Sequence, residues 1–260
     1  MTQMFKPPAS ARTHMRRQAY ANYDRATVDT ILDSGLLAHV GYVVDGAPYV
    51  TPTAYWREDD RLYWHGAGAS RLFRDTAPPL AVCLSVSHVD GLVLARCGFK
   101  HTLLFRSVMA FGHAEQITKA EEKRRVLDRF IDRLYAGRAR ELRAISDEEL
   151  AATSVMAMTI EEATAKISSP QARGGGIGVI DKEADYAAAV WAGVIPIHSV
   201  TGTTTADTRL NVDPVPPANV AAYAEGARFD AVLRQMAARQ TGGGGSADEA
   251  EGPGPKRPDL

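Results

Sequence analysis

A short turn of small residues, HGAGASR at positions 65–71, has the composition of an anion-binding corner. Gly66 and Gly68 have no side chains, which leaves the backbone N–H groups from Gly66 to Ala69 open to a ligand. Ser70 adds a hydroxyl group, and the guanidinium of Arg71 forms charge-assisted hydrogen bonds with phosphate. These residue types predict a site for a phosphate monoester. The alternative is a tight connection in which Arg71 is solvated.

The corner follows a segment with the periodicity of β-strands. Residues 36–66, LLAHVGYVVDGAPYVTPTAYWREDDRLYWHG, contain three runs rich in Val, Tyr, Trp and Leu. The pair Asp45-Gly46 predicts a tight hairpin between the first two runs, and REDDR separates the second from the third. Three further strands are predicted at 79–91, 102–117 and 154–168.

Helix signals flank these strands. Asp24 is a predicted N-cap for a short helix before Gly35, and Thr118 with Glu121 predicts a capping box at the start of a longer helix that ends near Gly137. Ser146 predicts the cap of a smaller helix. Because no helices separate the strands over residues 36–116, a doubly wound α/β fold is disfavoured, and we expect an antiparallel α+β barrel with flanking helices.

Composition narrows the function further. The 260-residue chain has 30 basic and 31 acidic side chains, so it lacks the positive field that nucleic acids and anionic membranes require. Its apolar runs are all much shorter than the about 20 residues that a membrane-spanning helix needs. The N-terminus has no hydrophobic stretch typical of a secretory signal. We therefore expect a cytoplasmic protein without a nucleic-acid or membrane partner.

Cysteine and histidine usage gives no sign of a metal site. Cys83 and Cys97 lie in apolar sequence and are interpreted as reduced structural thiols, although a disulfide between them stays open. Four histidines are separated from Asp, Glu and Cys at ligand spacing, so no metal site is predicted. They are His39, His88, His113 and His198.

The run VDGAPYVTPTAYWREDDRLYWHGAGASRLFRD at positions 44–75 resembles the FMN-binding split-barrel family of the pyridoxamine 5'-phosphate oxidases, especially its branch near the nitroimidazole-resistance flavoproteins. VDGLVLARCGF, HTLLFRSVMAFGHA, ELAATSVMAMTIEEATAKI and VWAGVIPI are similar to the family in the same order. The resemblance covers about residues 20–197. It implies an α+β split β-barrel of about six antiparallel strands, assembled as a homodimer with FMN in a cleft between subunits.

The resemblance also implies which residues contact the cofactor. Those along the isoalloxazine ring would be Val50, Thr51, Pro52 and Thr53. Those along the ribityl chain and the phosphate would be His65, Gly66, Ala67, Ser70 and Arg71. Further contacts from the cleft are implied for Arg106, Ser107, Lys166 and Trp191.

His101 is the predicted catalytic residue, as a general acid near neutral pH, with a structural histidine as the alternative. It stands where the family usually has a Phe-His-His-Ser-x-Asn-Tyr run, whereas this chain has FKHTLLF. Leu104 and Phe105 therefore make the substrate side more apolar than in the family, and Lys100 is new relative to it. The substrate is predicted only as a small organic molecule.

Two functional hypotheses follow. The first is an FMN-dependent oxidoreductase, similar to nitroreductases or oxidases, with NAD(P)H as a possible reductant. The second is a flavin- or haem-binding protein without turnover, or a haem-dependent enzyme, with His65 or His101 as axial ligand; a deazaflavin is a further alternative cofactor. The predicted organisation is an N-terminal arm (1–20), the split-barrel domain (21–200), a C-terminal extension with a helix (201–240) and a disordered tail (241–260).

Overall fold

This computed structural model of the chain describes residues 10–74, 79–172, 174, 179, 181–210, 212 and 215–242. Nine strands occur in these residues: β1 (Ala21–Asn22), β2 (Leu37–Val44), β3 (Ala47–Glu58), β4 (Arg61–Ala67), β5 (Leu80–Leu94), β6 (Thr102–Gln116), β7 (Thr153–Thr159), β8 (Glu162–Ser168) and β9 (Gly193–Pro196). The same residues form five α-helices: α1 (Arg25–Asp33), α2 (Arg71–Arg74), α3 (Ala120–Leu134), α4 (Asp147–Ala152) and α5 (Phe229–Gly242).

Six of the strands close into a ring. The order is β6-β7-β4-β3-β2-β5, and β5 pairs again with β6 to complete the barrel. Every pairing is antiparallel, and β8 with β1 extends the sheet from β6 while β9 extends it from β5. The α+β class and the barrel of about six antiparallel strands with flanking helices are therefore confirmed.

The hairpin turns form where the sequence predicts them. Asp45 and Gly46 both have positive φ, 51° and 78°, which matches the mirror-image turn that joins two twisted strands. Asp59, in the REDDR segment, also has a positive φ of 51°. Ser146 caps α4 by accepting a hydrogen bond from the Glu149 amide, and the Glu149 side chain completes the capping box.

Two apolar layers hold the barrel together. Inside the ring, Trp64, Leu84 and Met158 pack with residues of α1, including Ile31 and Leu32. Outside the ring, α3 covers the sheet over a second cluster formed by Trp56, Tyr63, Ile117, Val126, Val155 and Ala157. Alternate residues of β3 and β4 therefore face different cores, as the period of two in a strand requires.

The start of α3 differs from the prediction. Its N-cap is Lys119, without a side-chain hydrogen bond, and the helix begins at Ala120. The predicted capping box of Thr118 and Glu121 is therefore wrong, because the helix begins one residue later than that pattern requires. Glu121 and Glu122 still lie in the first turn, where a carboxylate stabilises the positive end of the helix dipole.

The strand predicted at 154–168 is divided into β7 and β8. At the break, the Ile160 amide donates to the Asp60 carbonyl (2.8 Å) and the Glu161 amide donates to the Phe111 carbonyl (3.0 Å). β7 pairs with both β4 and β6, whereas β8 pairs with β6 and β1. The chain thus turns a barrel corner here, which alternation of apolar residues does not reveal.

Segments from both ends of the chain pack against the barrel. α5 packs against α3 and α1, and the buried Arg133 of α3 donates to the carbonyls of Leu233 and Asp33, each at 2.5 Å. The N-terminal arm is described from Ser10, and the predicted tail lies outside the described residues beyond Gly242. Both cysteines are free. Among the described helices, none has the length and apolar character needed to cross a membrane.

Candidate functional site

β3 and β4 part from each other beside the predicted cofactor residues. Their ladder runs only from Glu58 paired with Arg61 to Tyr55 paired with Trp64. Beyond that point the first half of β3 pairs with β2, and the end of β4 pairs with β7. The edge of β3 over residues 47–54 therefore carries backbone groups that β4 does not pair, and such an edge can bind a polar ligand.

The four predicted ring-binding residues lie on that edge and alternate in direction. Val50 (66% exposed) and Pro52 face outward. Thr51 faces the interior, where its hydroxyl group is 3.1 Å from the Tyr42 hydroxyl, and Thr53 Oγ1 lies 3.4 Å from the His65 carbonyl. Because both threonine hydroxyls are occupied, this segment can offer a ring its backbone groups and the side chains of Val50 and Pro52.

The small-residue corner has fewer free donors than its sequence suggests. The Gly68 amide donates to the Ala152 carbonyl (3.1 Å), and the Ser70 amide donates to the Ala67 carbonyl (2.9 Å). Gly66 is required for another reason, since a Cβ there would lie 2.7 Å from the ring of Phe73. The corner's capacity for an anion thus depends on its remaining amides and on the exposed hydroxyl group of Ser70.

Arg71 is the first residue of the four-residue helix α2, immediately after Ser70. Its side chain lies outside the described part of the structure, so the predicted contact between its guanidinium and a phosphate stays a prediction.

His65 faces away from the barrel interior, towards α3. Its ring lies 4.8 Å from that of Phe130, edge to face, and 5.9 Å from that of Trp56. Nδ1 is buried without a hydrogen-bond partner among the described residues, and burial lowers the pKa of this imidazole. His65 therefore presents a neutral ring.

A cavity of about 710 Å³ adjoins His65. Its apolar lining consists of Leu127, Phe130, Ile131, Leu142 and Ile145. Arg140 and Arg143 also line it, and Arg143 pairs with Glu149 at 2.5 Å. The carboxylates of Asp128 and Glu149 line it as well, so the cavity combines apolar side chains with charged groups of both signs. Its volume is typical of a small-molecule or cofactor site.

Three predicted residues of β6 and β8 separate into two groups. Arg106 is held by carboxylates, with Nε 3.2 Å from Asp90 and Nη2 2.9 Å from Asp230. Ser107 and Lys166 are cross-strand partners on the outer face of the sheet. The structure therefore brings Ser107 and Lys166 together on the outer face of β6 and β8, while Arg106 joins the barrel to α5.

Trp191 and His101 are both exposed. Trp191 (65% exposed) precedes β9, and a Cβ at Gly193 would lie 2.7 Å from its indole ring. His101 Nδ1 lies 3.1 Å from the Cys97 carbonyl. When Nδ1 carries the hydrogen of that bond, Nε2 is left as the nitrogen that can exchange a proton with a ligand.

A second cavity, of about 490 Å³, was not predicted from the sequence. Phe105, Met109 and Lys166 line it from the sheet, while Met15, Arg16, Arg17 and Tyr20 line it from the N-terminal arm. The adjacent arginines and the nearby tyrosine were the available signal. A polar arm interrupted by proline gave no indication of where it would pack.

One further group of possible ligand atoms comes from residues far apart in sequence. Cys97, Asp181 and Asp185 bring side-chain ligand atoms within 4.8 Å of one another. However, Arg96 Nη1 donates to Asp181 (3.0 Å), and the Asp185 carboxylate accepts from the Lys182 amide (3.0 Å). These hydrogen bonds account for the positions of both carboxylates.

Known proteins share the fold of this chain. The family model described as pyridoxamine 5'-phosphate oxidase matches residues 24–167. The chain is 42% identical to the flavocytochrome Anf3 from Azotobacter vinelandii, covering 84% of this chain and 98% of that one, with a TM-score of 0.73. It is 33% identical to the FAD and haem binding protein from Mycobacterium smegmatis, covering 80% and 99% respectively, with a TM-score of 0.72. No curated protein sequence matches the chain.

Proposed function

The chain belongs to the pyridoxamine 5'-phosphate oxidase family, and from this premise we propose that it is a flavin-dependent oxidoreductase acting on a small organic substrate. The family membership confirms the resemblance inferred from the sequence. The observation that carries the proposal is the similarity over 98% of a flavocytochrome at 42% identity. Because that similarity covers 84% of this chain, it extends beyond the residues that the family model matches.

The residues present fit a flavin. The unpaired edge of β3 supplies backbone groups at residues 50–53, and the exposed Val50 and Pro52 offer apolar contact to a planar ring. Ser70, with the predicted contribution of Arg71, offers donors to a phosphate group. FMN is the predicted form, and FAD is the alternative that the Mycobacterium smegmatis protein favours.

When bound, a flavin supplies two-electron redox chemistry, and the protein supplies orientation, electrostatics and exclusion of water. In this chain the edge of β3 would orient the ring and the Ser70 corner would anchor the phosphate. His101, held through Nδ1 by the Cys97 carbonyl, would exchange a proton with the substrate at Nε2. NAD(P)H is the proposed reductant.

Substitutions at the corner test the flavin site. We expect Ser70→Ala and Arg71→Gln each to weaken flavin binding about tenfold, since each removes a hydrogen bond to a charged group. Arg61→Gln, at the start of β4 where β3 and β4 are still paired, is the matched control and should bind flavin as wild type does. The flavin affinity of each variant is measured by fluorescence quenching. Unchanged affinity in both corner variants would reject the proposal that this corner binds the flavin phosphate.

Anaerobic mixing with NADPH tests the enzymatic part of the proposal separately. We expect loss of the oxidised flavin absorbance, followed by its return when a nitroaromatic acceptor or oxygen is added. A protein that retains its flavin but is not reduced would instead be a flavin carrier.

A haem site is the second candidate, because one of the two similar proteins is described as a flavocytochrome and the other as an FAD and haem binding protein. His65 fits an axial ligand, since its buried Nδ1 has no partner among the described residues and its ring adjoins the 710 Å³ cavity. Arg140 lies where it could pair with a carboxylate of such a group. Reconstitution with haem tests this: a Soret band should form in wild type and shift or vanish in His65→Gln, and no band in wild type would reject it.

Homodimer formation is proposed for the outer face of the sheet. Val43 (57% exposed), Val50 and Val89 (48% exposed) present apolar surface there, on β2, β3 and β5. Burying such a surface in a second copy would remove it from water and enclose the Val50 edge. Light scattering tests this, with a dimer expected for wild type and a monomer for Val50→Lys; a monomeric wild type would contradict the proposal.

A further inference from the structure

The N-terminal arm crosses the outer face of the sheet and is held at two points. At one end, Ser10 Oγ donates to the Glu162 carboxylate at 2.6 Å, and Arg12 forms an ion pair with the same group. At the other end, β1 pairs with β8, where Ala21 stands opposite Lys166. Residues 14–20 therefore form a strap between two fixed points, and the 490 Å³ cavity lies between this strap and the sheet.

The cavity carries a concentration of positive charge. Arg16 and Arg17 of the arm and Lys166 of β8 line it, and no carboxylate lines it from the described residues. Elsewhere in the described chain, arginines such as Arg57 and Arg106 are paired with aspartates. Within the same described ranges, no salt bridge joins the three cations of the cavity to a carboxylate.

The remaining lining suits a flat ligand. Phe105 and Tyr20 contribute aromatic rings, and Lys166 Nζ lies 5.2 Å from the centroid of the Phe105 ring. Thr102 and Ser168 contribute hydroxyl groups. A cavity with aromatic walls and unpaired guanidinium groups favours a planar molecule with a phosphate or carboxylate group, because guanidinium binds either group through paired hydrogen bonds.

We propose that this cavity is a binding site for a planar organic anion, an aromatic phosphate or carboxylate, separate from the flavin. The cavity lies on β6 and β8, while the proposed flavin edge lies on β3, three strands away in the order β3-β2-β5-β6. At the usual spacing between strands, the two places are about 14 Å apart along the sheet of one subunit. The inference stands on the arm and the cavity residues and does not require the flavin.

Calorimetric titration with phenyl phosphate, benzoate and phenol tests the proposal on the protein as purified. Phenyl phosphate or benzoate should bind, with an affinity that falls as salt rises, and phenol should bind at least about tenfold more weakly. Which of the two anions binds more tightly identifies the preferred acidic group. The double variant Arg16→Gln/Arg17→Gln should weaken anion binding at least about tenfold. Arg129→Gln, which removes an exposed cation of α3 outside the cavity lining, should bind as wild type.

The flavin absorbance of the same samples reports the proposed function independently. Anion binding that is lost in the double variant and kept in Arg129→Gln supports the site, whether or not a flavin is present. Absence of binding in wild type, or equal binding in the double variant, would overturn it. Competition between phenyl phosphate and added FMN would also overturn it, because the cavity would then hold the flavin's own phosphate.

Discussion

Arg106 on β6 donates through Nη2 to the Asp230 carboxylate on α5 at 2.9 Å, across 124 positions of sequence. Asp230 also accepts from Arg234 (3.0 Å), and Arg106 reaches Asp90 at 3.2 Å. This network joins the C-terminal helix to the barrel. The guanidinium for which the sequence suggested a cofactor contact is therefore part of a structural connection.

Asp230→Asn should destabilise the fold, because it leaves partly buried arginines without their carboxylate. We expect the free energy of unfolding in urea at pH 7 to fall by about 2 kcal/mol. Asp45→Asn, in the exposed hairpin turn, should change it little. Equal stability of the two variants would contradict this role for Asp230.

The same carboxylate gives a pH dependence. Burial raises the pKa of Asp230, but hydrogen bonds from Arg106 and two further arginines outweigh it and hold that pKa below its usual range. The stabilisation is therefore complete above about pH 4, the ordinary pKa of an aspartate, and is lost as the pH falls through the lower folded-state value. Asp230→Asn should show a shallower loss of stability below pH 4.

Gly112→Ala should be strongly destabilising. A Cβ at this position of β6 would lie 2.2 Å from the Thr159 carbonyl oxygen and 2.9 Å from Met158. Since backbone cannot move aside as a flexible side chain does, we expect a loss of about 3 kcal/mol or failure to fold. Gly98→Ala is the control, because no atom lies within 4 Å of a Cβ added there, and it should have the melting temperature of the wild type. A thermal melt distinguishes the two, and a normal melting temperature for Gly112→Ala would be incompatible with this packing.

Glu162→Gln should release the N-terminal arm. Hydrogen bonds from Ser10 and Arg12 hold the pKa of Glu162 below its usual range, so the contact is present at neutral pH and is lost on acidification. Limited trypsin digestion at pH 8 should cleave after Arg16 and Arg17 several-fold faster in this variant. Glu115→Gln, at an exposed position of β6, should be cleaved at the wild-type rate. Equal rates in both variants would show that Glu162 does not hold the arm.

The buried His65 gives a second dependence of stability on pH, this time from a side chain whose charged form is a cation. Burial lowers the pKa of His65, so between its folded value and the ordinary value near 6.5 the unfolded chain binds more protons. Stability should therefore fall as the pH drops below about 6.5. His65→Gln should flatten the urea stability profile between pH 7 and 5. Burial also lowers the pKa of His88, which adds a similar slope that His88→Gln would remove.

Local sequence signals predicted most of the barrel. Asp45-Gly46 places the first hairpin, because it supplies the positive φ angles that the turn requires. Ser146 and Glu149 place the start of α4, because their capping box involves residues three positions apart. Such features depend on neighbours in sequence and are accessible without the fold.

Contacts over long sequence separations could not be predicted in this way. The hydrogen bond from Ser10 to Glu162 joins the N-terminal arm to a strand 152 positions away. The amides of Gly68 and Ser70 donate to carbonyl groups that the local sequence pattern does not reveal. The resemblance to a family predicted which residues would contact a flavin. It did not indicate that Arg106 would be held by Asp230 or that the arm would close a second cavity.

The absorption spectrum of the purified protein, followed by mass analysis of the released chromophore, is the decisive test of flavin binding by this chain. We expect the two bands of an oxidised flavin, with FMN or FAD released on denaturation. A colourless protein that also fails to bind added FMN and FAD would contradict it.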